Sequence, residues 1–189
     1  MSMIVIMLVI SYNDDCFMSA KPTIVKAETT KKEYAKLTGI FLFLIIAATL
    51  MGTLDGFNAH EWLRWFMGGF MILFGSFKLM GIEVFIKVFP LYDLIAKKFK
   101  PYTYIYPLLQ IFLGMLYIAG LMAVPRDLIT LIMAASGGIG ILKIVSARGP
   151  IKLSYLGNTI KLRYSTVSLL ENTIMAVGAF ILLVGNFIY

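Results

Sequence analysis

The segment "YTYIYPLLQIFLGMLYIAGLMAV", residues 102–124, contains no Asp, Glu, Lys or Arg. A helix of about 20 apolar residues is long enough to cross the hydrocarbon core of a bilayer. The rest of the chain has the same character, since 60% of its 189 residues are hydrophobic, only 14% are charged, and the mean hydropathy is +0.87. A soluble domain carries about a quarter charged residues. The composition therefore predicts an all-α integral membrane protein, because a helix satisfies its own backbone polar groups in lipid.

Four more segments are apolar enough to cross, so we predict a bundle of five transmembrane helices. The predicted spans cover residues 37–54, 62–80, 102–124, 127–147 and 165–188. We assign residues 37–189 to this bundle and residues 1–36 to an N-terminal tail that is poorly ordered or lies in the membrane interface. The tail begins with "MSMIVIMLVI", which is too short to span and lacks the basic flank and cleavage site of a signal peptide.

The positions of the basic residues predict the orientation of the five spans. With these boundaries, fifteen of the 17 lysines and arginines fall on the side that holds the N-terminus, and only Arg64 and Arg126 fall on the other. Lysine and arginine accumulate in cytoplasmic loops. We therefore expect a multi-pass membrane protein with its N-terminus inside and its C-terminus outside. The net charge of +7 then reflects topology and attraction to anionic lipids, so it does not indicate a nucleic-acid partner.

The connection between the second and third spans, residues 81–100, alternates apolar and charged residues at helical spacing. Glu83 and Lys87 are four residues apart, as are Asp93 and Lys97, and Pro90 separates the two pairs. This pattern predicts an amphipathic segment in the cytoplasmic interface, made of two short helical pieces with a kink between them.

Aromatic and small residues give two further predictions about packing. Tyrosines at three alternate positions predict an aromatic belt at the inner interface: Tyr102, Tyr104 and Tyr106. The sequence "AASGGIG", residues 134–140, places small residues four positions apart in the fourth span. Such spacing lets helices approach closely, so it predicts a seam inside the bundle or between the subunits of a homo-oligomer. Pro125 is predicted to mark the tight turn between the third and fourth spans.

The loop before the last span predicts a short cytoplasmic β-hairpin. Gly157 and Asn158 stand between "IKLSY" and "IKLRY", two stretches that alternate apolar and polar residues. Glycine at the first central position favours a type II′ turn. Since a two-stranded ribbon is marginal alone, we expect it to pack on the inner face of the bundle.

Three polar side chains fall near the cytoplasmic ends of separate spans: Lys78, Gln110 and Glu171. Ionisable groups inside a membrane face the interior of the bundle and find partners there. One interpretation is a small polar pocket for a solute, an ion or a lipid headgroup. The other is a structural ion pair that joins the helices, with Lys78 extending toward the interface. We predict that Glu171 pairs with Lys78 and that the hairpin covers the pair.

The remaining reactive residue types give no catalytic or metal site. Cys16 is the single cysteine, so an internal disulfide or a CxxC motif is excluded. His60 is also single, and Asp55 and Glu61 beside it are ordinary loop residues that do not make up a metal-ligand set. The 12 methionines are typical of flexible filler in an apolar core. We therefore expect no metal, no cofactor and no enzymatic activity of its own.

Two sequence blocks carry a resemblance to a known family. They are "FMGGFMILFGSFKLMGIEVFIKVFPLYDLIAKKFKPYTYIYPLLQIFLGMLYIAG", residues 66–120, and "LSYLGNTIKLRYSTVSLLENTIM", residues 153–175. The chain resembles the MauE/DoxX-like integral membrane proteins over roughly residues 35–189, and specifically the branch that is often fused to a heavy-metal-associated domain. The resemblance implies a membrane bundle associated with methylamine utilization and with redox-linked maturation of other proteins.

The chain departs from the family pattern at the positions that would carry chemistry. Gln110 stands where the family usually has a glutamate, and Leu153 and Tyr155 stand where it usually has a Cys-x-Cys pair. Thiol exchange requires a thiolate, which neither residue supplies. The resemblance therefore implies a non-catalytic accessory protein that assists maturation, redox or metal handling of a protein partner. The alternative is a carrier for a small solute, a metal or a lipid that uses the pocket of Lys78, Gln110 and Glu171.

Overall fold

The computed structural model describes residues 31–53, 58–148 and 164–188, and within these ranges the regular structure is entirely helical. The described helices are α1 (Lys31–Gly52), α2 (Ala59–Met80), α3 (Ile82–Tyr92), α4 (Pro101–Ala119), α5 (Ala123–Arg148) and α6 (Tyr164–Ile188). The predicted all-α class is confirmed for these ranges. The predicted hairpin, including Gly157 and Asn158, lies outside them, as does the tail before residue 31.

Three of the described helices are long and apolar enough to cross a membrane: α4, α5 and α6. A fourth span results if α2 and α3, which meet at a bend of 108°, are counted as one broken span. The apolar part of α1 runs only over Leu37–Gly52, and α2 alone is less apolar because it begins with charged and polar residues. The described helices therefore provide three or four candidate spans by length and composition, where the sequence predicted five. This number fits a multi-pass membrane protein.

The connection after α2 does not form the two separate helical pieces predicted for residues 81–100. It forms one helix, α3, which continues through Pro90 to Tyr92, followed by hydrogen-bonded turns up to α4. Pro90 has no N–H to donate to the carbonyl group of Ile86, and α3 ends two residues later. The face of α3 made by Phe85, Val88 and Phe89 is buried in the protein rather than turned toward lipid.

An aromatic core holds α3 against α4. The ring centroids of Phe85 and Phe89 are 4.6 Å apart, and those of Phe89 and Tyr106 are 4.5 Å apart. Tyr106 is only 1% exposed, whereas Tyr104 is 39% exposed. The predicted tyrosine belt is therefore wrong for Tyr106, because residues two apart on a helix face different sides and only one side meets lipid.

Glycines bring α2 and α4 into backbone contact. A Cβ atom added to Gly68 would lie 3.0 Å from the carbonyl oxygen of Gly114, and one added to Gly114 would lie 2.9 Å from that of Gly68. Gly75, two turns along α2, faces the carbonyl oxygen of Pro107 at 3.1 Å in the same way. This close approach places Lys78, one turn beyond Gly75, next to α4.

The small residues of α5 lie against other parts of the same chain. A Cβ atom on Gly140 would overlap the carbonyl oxygen of Tyr92, and one on Gly137 would lie 2.7 Å from Oδ1 of Asn172. Ala134 and Ser136 are also buried. These residues of the predicted seam therefore pack inside the bundle.

The turn between α4 and α5 lies earlier than predicted. Gly120 ends α4 with a left-handed φ of 68°, and its N–H together with that of Leu121 donates to the carbonyl groups of the last turn. Pro125 lies in the first turn of α5 rather than in the connection. Proline is compatible with this position because the first N–H groups of a helix have no partner within the helix.

Candidate functional site

The structure brings together Lys78, Gln110 and Glu171 in one hydrogen-bonded group, here called the inner triad. Nζ of Lys78 donates to Oε1 of Gln110 at 2.7 Å and forms an ion pair with Oε1 of Glu171. Nε2 of Gln110 donates to the same Oε1 of Glu171 at 2.8 Å. The exposed fractions of the three residues are 5%, 0% and 1%. The triad is thus a closed link between three helices.

Each member of the inner triad reaches the group from a different helix. Lys78 lies in the last turn of α2, Gln110 at the middle of α4, and Glu171 in the second turn of α6. Helical side chains lean toward the N-terminus of their helix, so the side chain of Lys78 runs back along α2 into the bundle. Lys78 therefore forms the ion pair with Glu171 and does not extend to the interface, because its Nζ bonds to buried groups.

Aromatic and sulfur atoms surround the charged groups of the triad. Nζ of Lys78 lies 5.0 Å from the centroid of the Tyr106 ring and 5.9 Å from that of Phe85. Nε2 of Gln110 also faces Sδ of Met175 at 3.8 Å. A cation over aromatic faces is stabilised further when it is removed from water. The aromatic faces therefore add to the contacts that Gln110 and Glu171 make with Nζ of Lys78.

A second buried group, which the sequence analysis did not find, joins the end of α3 to α5. Oδ2 of Asp93 accepts a hydrogen bond from Oγ of Ser136 at 2.8 Å, and its Oδ1 accepts from the backbone N–H groups of Ile95 and Ala96. Burial raises the pKa of the Asp93 carboxyl, and these hydrogen bonds act in the opposite direction. The predicted pairing with Lys97 remains as a charge interaction that also lowers the pKa of Asp93, and the buried cap adds to it. The signal in the sequence was Asp93 directly after the aromatic helix, at a position where Asp caps a turn.

A third set of polar contacts joins α3 to α6. The hydroxyl of Tyr92 lies 3.2 Å from Oγ of Ser168, and Nδ2 of Asn172 donates to the carbonyl oxygen of Ser168 at 2.7 Å. Oδ1 of Asn172 packs on Gly137 of α5. These uncharged residues gave no signal in the sequence, because hydroxyl and amide side chains inside apolar helices are common at helix interfaces.

At the opposite end of the bundle, Arg126 and Asp127 form the centre of an outer polar cluster. Nε of Arg126 donates to Oδ1 of Asp127 at 3.0 Å, and Nδ2 of Asn186 donates to Oδ2 of Asp127 at 2.9 Å. The guanidinium carbon lies 4.1 Å from the centroid of the Tyr117 ring. Arg126 and Asp127 are 1% and 0% exposed, so the cluster ties α4, α5 and α6 together.

Arg64 completes the outer end by capping α4. Its Nη1 donates to the carbonyl oxygens of Tyr117 and Ile118, both at 2.9 Å, and its guanidinium pairs with Glu61. A positive charge at a helix C-terminus is favourable because the last carbonyl groups carry partial negative charge. Both arginines assigned to this side thus have structural partners.

The described residues contain no group of three His, Cys, Asp or Glu side chains that could hold a metal ion. Nδ1 of His60 lies 4.0 Å from Oε1 of Glu61. Four residues considered in the sequence analysis lie outside the described residues: Cys16, Asp55, Leu153 and Tyr155. The inner triad is therefore the candidate site, and its chemistry is charge pairing between helices.

Comparison with known proteins gives no relative on which to base an assignment. No family model matches the chain, and neither a curated protein nor a solved structure matches it with significant similarity.

Proposed function

We propose that this chain is a non-catalytic accessory protein of the bacterial inner membrane, similar to the MauE/DoxX-like proteins, which assists maturation, redox or metal handling of a protein partner. The observation that supports it is the inner triad, in which Lys78, Gln110 and Glu171 bond to one another. Groups that bind a solute need free hydrogen-bonding capacity, whereas groups that join helices use it on each other. The triad fits a scaffold better than a catalytic centre.

The proposal includes five crossings, with α1 and the α2–α3 pair each counted as one, and an N-terminus in the cytoplasm. Labelling tests this topology in a Cys16→Ser background, which removes the single cysteine. Lys98→Cys and Met122→Cys both place the thiol at an exposed position, and the two positions lie at opposite ends of the bundle. We expect a membrane-impermeant maleimide to label Met122→Cys in intact cells and Lys98→Cys only in opened membranes. Labelling of Lys98→Cys in intact cells would reverse the orientation.

The accessory role predicts a stable protein partner. We would purify the chain from native membranes after mild crosslinking and compare the proteins recovered, by mass spectrometry, with those from an unrelated multi-pass protein. The double variant Lys78→Met/Glu171→Gln serves as the second sample, since it removes both charges together. We expect one or a few proteins to be enriched with the parent and to remain enriched with the folded double variant. If nothing is enriched over the control protein, the accessory role is wrong.

A carrier is the second candidate, and the bend between α2 and α3 favours it. The bend is 108°, and Lys78 lies three residues before Gly81, where it occurs. In many membrane carriers, interrupted helices line the binding site for a solute or an ion. The same double variant separates the two proposals, because neutralising the triad should abolish solute-dependent stabilisation of a carrier. A panel of small solutes, lipids and metal ions that raises the melting temperature of the parent, and not that of the double variant, would favour the carrier.

A further inference from the structure

The turn between α3 and α4 presents two lysines and a phenylalanine outward. Lys97, Lys98 and Phe99 are exposed, and Phe99 keeps 56% of its surface accessible. We call these three residues the KKF turn. They lie immediately before α4, which begins at Pro101 and is long enough to span a membrane. The turn is therefore at the boundary between the protein, the lipid headgroups and water.

Buried neighbours fix the outward orientation of this turn. Ala96, the residue before Lys97, is 0% exposed, and its N–H donates to Oδ1 of Asp93 at 2.8 Å. The N–H groups of Lys97, Lys98 and Phe99 donate to backbone carbonyl groups of Asp93 and Ile95. The hydroxyl of Ser136 holds Asp93 to α5. The side chains of Lys97, Lys98 and Phe99 thus extend from a turn whose backbone is held by hydrogen bonds.

We propose that the KKF turn is a binding site for an anionic phospholipid. Each lysine near a membrane surface favours anionic lipid by about fivefold, and an aromatic ring is stable at the boundary of headgroups and acyl chains. Phe99 next to two cations matches a ligand that has a phosphate and an acyl chain together. The site extends beyond the proposed accessory function and does not depend on it.

Fluorescence quenching by brominated lipid tests the site directly. Phe99→Trp places a reporter in the turn, and the parent, whose two tryptophans Trp62 and Trp65 remain, supplies the background. The protein is reconstituted in phosphatidylcholine vesicles that contain a small fraction of either brominated phosphatidylglycerol or brominated phosphatidylcholine. We expect the phosphatidylglycerol to quench the new tryptophan at several-fold lower mole fraction. Adding Lys97→Gln and Lys98→Gln should bring the two lipids to equal effect.

Two controls make the result specific. Lys87→Gln removes an exposed lysine of α3 outside the turn and should leave the preference unchanged. Inorganic phosphate added at millimolar concentration should not reduce the quenching, because the site requires the acyl chain. Equal quenching by the two lipids in the Phe99→Trp protein would overturn the proposal, and so would displacement by phosphate. A preference that survives the loss of both lysines would also overturn it.

Discussion

The two ends of the bundle use charged residues in different ways. At the inner end, Lys78 and Glu171 are 93 residues apart in the chain and lie on different helices, and each is at least 95% buried. At the outer end, Arg64 pairs with Glu61 three residues away, and the side chain of Glu61 is 43% exposed. A buried charge can therefore determine which helices meet, as at the inner triad and at the Arg126–Asp127 pair, whereas Arg64 caps the C-terminus of α4 beside a partly exposed partner.

The largest effect is expected at the inner triad. Glu171→Gln keeps the shape of the side chain but leaves the Lys78 cation buried without a counterion. Breaking one side of a buried pair costs about 3–5 kcal/mol in soluble proteins, and we expect a loss of this order in the free energy of unfolding. Lys78→Met in the same chain should restore part of the loss. Unfolding in nanodiscs gives the coupling energy of the double-mutant cycle, and a value of zero would show that the pair does not hold the helices together.

The next largest effect is expected where α5 packs against the end of α3. Gly140→Ala would drive a methyl group into the carbonyl oxygen of Tyr92, and overpacking of this kind costs about 1–3 kcal/mol. Gly138→Ala is the matched control, because its added Cβ would meet only Cβ of Asn172, at 3.6 Å. Replacing a helical glycine with alanine is otherwise favourable by about 0.5–1 kcal/mol. Melting curves of the two variants should therefore shift in opposite directions, and equal shifts would contradict the close approach of α5 to Tyr92.

A smaller effect is expected at the outer end. Arg64→Gln removes the cation that bonds to the last carbonyl groups of α4, which should lower the free energy of unfolding by about 1–2 kcal/mol. Glu61→Gln removes only a partly exposed ion pair, whose contribution is typically below about 1 kcal/mol. Thermal unfolding of both variants tests the distinction. If Glu61→Gln costs as much as Arg64→Gln, the ion pair rather than the helix cap is the stabilising contact.

The smallest effect is a change in pH dependence at Asp93. Because the pKa of this carboxyl is raised in the folded protein, its contribution to stability is present at acid pH and is lost as the pH rises through the folded value. Asp93→Asn does not titrate. The stability of the parent relative to Asp93→Asn should therefore fall as the pH rises above the ordinary pKa of Asp, about 4, as measured by thermal unfolding in detergent at several pH values. A constant difference across these pH values would mean that the hydrogen bonds donated to Asp93 offset its burial.

The inner triad was accessible to sequence reasoning because it is made of charges. Lys78 and Glu171 are charged residues within apolar helices. Because an unpaired charge in lipid is costly, each was expected to pair with a charged residue of another helix. The order of the helices then indicated that both residues lie near the same end. Gln110 was identified as a polar residue in the uncharged span of residues 102–124.

The turns and the uncharged contacts were not accessible in the same way. The apolar run of residues 102–124 continues through Gly120, so hydropathy alone extended the helix past its actual end at Ala119. The signal was Gly120 itself, since a glycine followed closely by Pro125 is typical of a helix end. The bend at Gly81 and the contact of Tyr92 with Ser168 depend on packing between distant segments, which a single sequence does not encode locally.

The sequence separation within the triad also has a consequence for synthesis of the chain. Lys78 emerges 93 residues before Glu171, a delay of roughly 5–20 seconds at ordinary translation rates. Gln110 is only 32 residues away, so its amide oxygen reaches Lys78 after about a third of that time. Of the two hydrogen-bond partners of Lys78 in the triad, the ribosome therefore adds the amide of Gln110 well before the carboxylate of Glu171.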